Sequence, residues 1–242
     1  KYLFISFIFF PVFENFGFGY FNYIWQLTRY HAETFSITLI VLVLAIISQK
    51  NFFIKNHKFI YFLSAMLLAM SVTARPNFLP TSFFIIVFIF TNLLYLKKYA
   101  NFFLALFGFS FIFLPLLHNI YFGGEWSLFS NAFNSKNFPI SLNDYMNGLF
   151  SLFIFDFQSE SFLKVTKHLL IWNPLYNLHR LLVILLIFIF ASKYRQSFFT
   201  YILILCALSQ HGFLLISEPG SRYAYLAWLL TFIIFFKIEY EN

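Results

Sequence analysis

The chain has 242 residues; 10% are charged, 61% are hydrophobic, 41 are Phe, and the formal net charge is +7. So little charge cannot cover the surface of a water-soluble domain, whereas a bilayer excludes charge along about 20 residues of helix. The lysines flank apolar runs, which points to membrane topology and away from nucleic acid, and one cysteine, Cys206, leaves no intrachain disulfide or thiolate metal cluster.

Taken in chain order, Lys1 is followed by an apolar stretch, Tyr2–Phe13, that is short for a span and lacks the small-residue cleavage site of a signal peptide. It predicts a partial outward span, with further sequence expected upstream of residue 1. Seven full spans are then predicted at 34–49, 59–75, 79–96, 101–117, 174–192, 197–216 and 223–236. The fold class is therefore an all-α, polytopic transmembrane helix bundle forming a single unit over 1–242.

Charge asymmetry orients it. Lysines cluster at Lys50, Lys55 and Lys58, at Lys97 and Lys98, at Lys193 with Arg195, and at Lys237. Placing these clusters in the cytoplasm satisfies the positive-inside rule. The acids Glu14, Glu33, Glu125, Asp144, Asp156, Glu160 and Glu218 then fall outside, and Arg29, Arg75, Arg180 and Arg222 fall outside or at the outer interface. The exterior segments are 14–33, the Arg75-Pro76-Asn77 turn, a long loop at 118–173, and Glu218-Pro219-Gly220-Ser221. Within the long loop, apolar patches at 149–155 and 161–172 predict interfacial helices anchored by Trp126 and Trp172.

Depth singles out four charges. At 1.5 Å per residue, Glu33 lies roughly 24 Å from Lys50, and Arg75 roughly 24 Å from Lys58. Arg222 lies roughly 21 Å from Lys237, and Arg180 roughly 18 Å from Lys193, the deepest of the four. Against a hydrocarbon core of about 30 Å, all four sit near or below the outer interface. Two arrangements fit: a polar cavity open to the outer face, or a tie in which Glu33 pairs with one arginine. Arginine suits the first because its planar fork binds phosphate or carboxylate with two hydrogen bonds and keeps its charge when partly buried.

Metal and nucleophile chemistry find little support. His31 and Glu33 are two residues where a metal site needs more, and His118, His168, His179 and His211 show no ligand spacing. No Gly-rich phosphate loop, nucleophile elbow or zinc-protease signature occurs.

The run Arg29-Tyr30-His31-Ala32-Glu33 leading into a span, then Thr73-Ala74-Arg75-Pro76-Asn77 with Pro80, resembles the middle of GT-C-type integral membrane glycosyltransferases. Asn119-Ile120-Tyr121-Phe122-Gly123-Gly124-Glu125 is similar to the start of their later extracytoplasmic loop. Ser221-Arg222-Tyr223-Ala224-Tyr225, opening the last predicted span, resembles their common Arg-Tyr near the C-terminus. The resemblance implies transfer of a sugar from a polyprenyl-phosphate carrier to a glycan, lipid or protein acceptor, with membrane lipids as further partners and no nucleic acid. It implies a main catalytic acid upstream of residue 1, so that the fragment would be inactive alone. Glu33 would match a second loop acid that helps bind acceptor or a divalent cation, the one cofactor the family suggests. Arg75, Arg180 and Arg222 would receive the carrier's phosphate. A bacterial inner membrane is the implied location. Two rivals share this charge pattern, a transporter or lipid flippase and an O-antigen polymerase or ligase.

Overall fold

A computed structural model describes residues 31–49, 52–53, 58–124, 126, 142–171, 174–193, 197–216 and 224–241. These residues are helical with short turns, and no strand occurs among them. The predicted partial span at 2–13, Arg29, and Arg222 lie outside the described residues.

Helix α1, Ala32–Ile47, starts where His31 takes an extended backbone and its carbonyl accepts both the Thr34 N–H at 3.1 Å and the Thr34 hydroxyl at 2.7 Å. Helix α2, Lys58–Ala74, stops at Arg75 for a local reason: a residue before proline is pushed out of the helical region. Arg75 accordingly adopts φ −148° and ψ 101°. A 3-10 turn, Pro76–Phe78, then feeds α3, Leu79–Tyr95.

Helix α3 is closed by Lys97 at φ 56°, with the Lys98 N–H donating to the Leu93 carbonyl at 2.8 Å. Glycine usually takes that left-handed position. Helix α4, Tyr99–Phe109, continues through a 3-10 turn, Ser110–Phe113, into α5, Leu114–Gly123, which ends at Gly124 with φ 66°. Helices α6, Leu142–Phe153, and α7, Glu160–Ile171, precede α8, Pro174–Lys193. Helices α9, Phe198–Ile216, and α10, Tyr225–Glu241, complete the order.

Every described helix thus overlaps a predicted segment, with three boundary differences, α10 running on to Glu241 where the predicted span ends at 236. The residues from His118 to Gly123 are helical, whereas the sequence put the start of the long loop there. Helix α6 begins at Leu142, well before the apolar patch at 149. By length and hydropathy, three stretches are fit to cross a membrane: Pro76–Tyr95, Tyr99–Gly123 and Phe198–Leu215. Ala32–Ile47, Lys58–Ala74, Arg180–Ile189 and Tyr225–Lys237 are apolar but shorter.

The core is apolar as in a soluble protein, but the outer surface differs. Ile40, Leu68, Ile85, Ile187, Leu203 and Leu230 join α1, α2, α3, α8, α9 and α10 in one core. Ser36, Ser64, Ser71, Thr81, Ser82, Thr200, Gln210 and His211 are buried beside them. Large apolar side chains such as Phe59, Phe83, Phe103, Phe107, Leu185 and Phe188 face outward. Such an exterior suits hydrocarbon as its solvent. Helices α2 and α4 approach closely because Gly108 has no side chain; a Cβ there would collide with the Phe62 carbonyl oxygen.

The two ends of the bundle differ. At one end the Tyr61 hydroxyl donates to the Phe52 carbonyl at 2.7 Å, and the Lys98 ammonium to the Phe53 carbonyl at 2.6 Å. The opposite ends of α2 and α3 meet at the Arg75 turn. Apart from both, α6 packs on α7 through Gly148, which lies against Val165 and Ser161. Lys164 bridges Glu160 at 2.8 Å and Asp144 at 3.9 Å. Its hydrogen bond to Glu160, followed by the charge of Asp144, raises its pKa above the usual lysine value.

Candidate functional site

Glu33 stands in the first turn of α1, where the positive end of the helix dipole favours a carboxylate. Its side chain is 1% exposed, and its Oε1 lies 3.0 Å from a guanidinium nitrogen of Arg75, whose side chain is 34% exposed. The burial is one-sided. The acid is enclosed, while the arginine has one flank open. Removing water from a carboxylate costs several kcal/mol unless a charge or hydrogen bonds compensate, and Arg75 supplies that charge.

The turn carrying Arg75 is held from a second direction. Gln210, fully buried in α9, donates from Nε2 to the Asn77 carbonyl at 3.0 Å, and its Oε1 accepts from the Thr81 hydroxyl at 2.9 Å. One turn earlier in α9, the Cys206 Sγ lies 3.7 Å from the Thr81 carbonyl. Ser71 and Ser82 join α2 to α3 through their hydroxyls at 3.1 Å.

Beside Gln210, the buried His211 places Nε2 2.9 Å from the Thr231 hydroxyl of α10, and Thr231 in turn donates to the Ala227 carbonyl at 2.8 Å. The imidazole meets Trp228 edge-on at 5.2 Å between centroids. Polar groups therefore run as a seam from α1 through the Arg75 turn to α9 and α10. Each link is a side-chain contact or a step to the next residues in the chain.

Of the four charges singled out by depth, Glu33 and Arg75 form an ion pair, which is the tie the sequence allowed for. Arg180 is entirely buried in α8. Arg222 lies outside the described residues. His31 is half-buried, and His118 packs on the Phe122 ring at 4.8 Å. Among the described residues no three His, Cys, Asp or Glu come together. Glu33 is engaged by Arg75.

Gln210, His211, Thr81 and Thr231 were not picked out as site residues from the sequence. A signal was available: Ser209-Gln210-His211 interrupts the otherwise apolar run 202–216, and polar groups within a span usually face the bundle interior.

These described residues form an all-helical bundle with lipid-suited outer faces and three helices able to cross a membrane, the attributes of a membrane protein. No protein-family model, no curated protein and no solved structure matches the chain.

Proposed function

We propose that the chain is part of a GT-C-type membrane glycosyltransferase that moves a sugar from a polyprenyl-phosphate carrier to an extracytoplasmic acceptor. The observation that carries this reading is the half-open Arg75 guanidinium, set at the end of the apolar helices by a buried carboxylate. A lipid phosphate whose tail lies along those helices would meet Arg75 at their end. There a guanidinium can form charge-assisted hydrogen bonds to the phosphate as charge develops on it.

In this reading all seven predicted spans cross the membrane, with the Lys97–Lys98 and Lys193 ends in the cytoplasm and the Arg75 turn outside. The membrane is a bacterial inner membrane, and α6 and α7 lie along its outer surface. Arg222 serves the same phosphate; Arg180, enclosed in α8 as fully as Glu33 is in α1, would reach it only where a phosphate enters between the helices. Glu33 acts by holding Arg75. A base must reach the acceptor's proton within hydrogen-bond distance, and enclosure at 1% exposure works against that role.

A transporter or lipid flippase is the second reading, favoured by the buried Gln210 and His211 in a helix long enough to span. Both readings are tested with full-length protein in nanodiscs carrying Arg→Lys and Arg→Ala at positions 75, 180 and 222. Sugar transfer from a polyprenyl-phosphate donor is measured beside expression level. Loss of one charge-assisted contact, worth about 1.5–3 kcal/mol, should weaken donor use about ten- to a hundredfold. Lysine should restore part of it, since a point charge lacks the bidentate fork. Well-expressed alanine variants with full activity would remove the phosphate site. Donor translocation without transfer would favour the second reading.

A further inference from the structure

We propose that Gln210 is a positioning residue for Arg75: by clamping the Arg75–Asn77 turn from α9, it sets where the guanidinium meets an anion. The proposal rests on reading Arg75 as a phosphate contact. From within, the turn has backbone bonds, the Leu79 N–H donating to the Pro76 carbonyl among them, but no side-chain clamp. Arg75 is extended, Pro76 has no N–H to give, no side chain caps the turn, and the Phe78 N–H bonds back to the Arg75 carbonyl at 3.1 Å.

Gln210 supplies what the turn lacks. One amide grips both sides of the Phe78-Leu79-Pro80 segment, donating to the Asn77 carbonyl and accepting from Thr81. Glu33 restrains the Arg75 side chain, and Gln210 restrains the backbone two residues away. Methionine could match the length of glutamine but could offer neither bond. His211, the next residue in α9, bonds separately to Thr231 of α10 and so joins α9 to α10.

Two measurements on full-length protein in nanodiscs test this. The first uses a nitroxide on Asn77→Cys, with the buried Cys206 left in place and unmutated protein as the labelling control. Gln210→Met should increase label mobility, and the milder Thr81→Val should do so to a smaller extent. Unchanged spectra in both variants would overturn the clamp, and Thr81→Val alone decides it should Gln210→Met fail to accumulate.

The second measures binding of a short isoprenyl monophosphate against the matching isoprenyl alcohol. Gln210→Met should weaken phosphate binding about two- to tenfold, the range of a neutral hydrogen bond, and should add nothing when Arg75 is already alanine. An equal loss in the Arg75→Ala background, or for the alcohol, would show that Gln210 does not act through Arg75 and overturn the positioning role. Unmutated protein that ignores the phosphate overturns the phosphate reading and with it the anion-positioning role, while the label result still decides whether the clamp exists.

Discussion

Arg75 and Glu33 form an ion pair at 3.0 Å in which the acid is buried and the base is one-third exposed. That asymmetry sets the cost of breaking it from either side. Removing the arginine strands a buried carboxylate, which costs about 3–5 kcal/mol for enclosed pairs. Replacing the acid by its neutral amide leaves an arginine that can still reach water or lipid headgroups. Arg75→Leu should therefore lower the melting temperature in detergent distinctly more than Glu33→Gln. Equal effects would mean that the acid is not enclosed.

The bond between His211 and Thr231 gives a second test. Thr231→Val keeps the shape of the side chain and removes the hydroxyl 2.9 Å from the imidazole. Loss of a buried hydrogen-bond partner costs about 1–3 kcal/mol. His211→Leu combined with Thr231→Val should cost less than the sum of the two single changes, because the second removes a bond already gone. Thermal unfolding of the four proteins in one detergent measures this coupling, and simple additivity would show that the two side chains do not interact.

At Gly108, propensity and packing oppose each other. Alanine favours a helix over glycine by about 1 kcal/mol, yet its methyl would strike the Phe62 carbonyl, part of a backbone with little room to yield. Overpacking of this kind costs about 1–3 kcal/mol. Gly108→Ala should be net destabilising and Gly108→Val more so, as read by midpoint shifts in thermal unfolding. At Gly123, where a Cβ would meet nothing within 4 Å, alanine should be neutral or stabilising.

Topology can be checked without any assay of activity. Charge asymmetry predicts that Lys98 and Lys193 are cytoplasmic and that Asn134, which lies outside the described residues, is exterior. Reporter fusions after Lys98 and Lys193 should read cytoplasmic, and a tag inserted at Asn134 should be labelled by a membrane-impermeant reagent. A tag at 134 reachable only from the cytoplasm would move the Arg75 turn to the wrong side for an extracytoplasmic acceptor.

The sequence by itself determined most of the helical segments, because long charge-free apolar runs, three of them long enough to cross a membrane, leave the backbone few options but to bond within a helix. It also marked the break at Arg75, since Pro76 excludes helical geometry from the residue before it. It named Glu33 and Arg75 as charges of similar depth. Only the tertiary structure decided that these two pair, with α1 laid beside the end of α2, and that Gln210 and His211 extend the seam to α3 and α10. The reason is physical. A helix whose outward face meets hydrocarbon is apolar on every side, so no amphipathic stripe tells its inner face from its outer one. Neighbours are then chosen by close contacts such as Gly108 against Phe62 and by the need of each buried polar group for a partner. Those choices become visible only when the helices are set side by side.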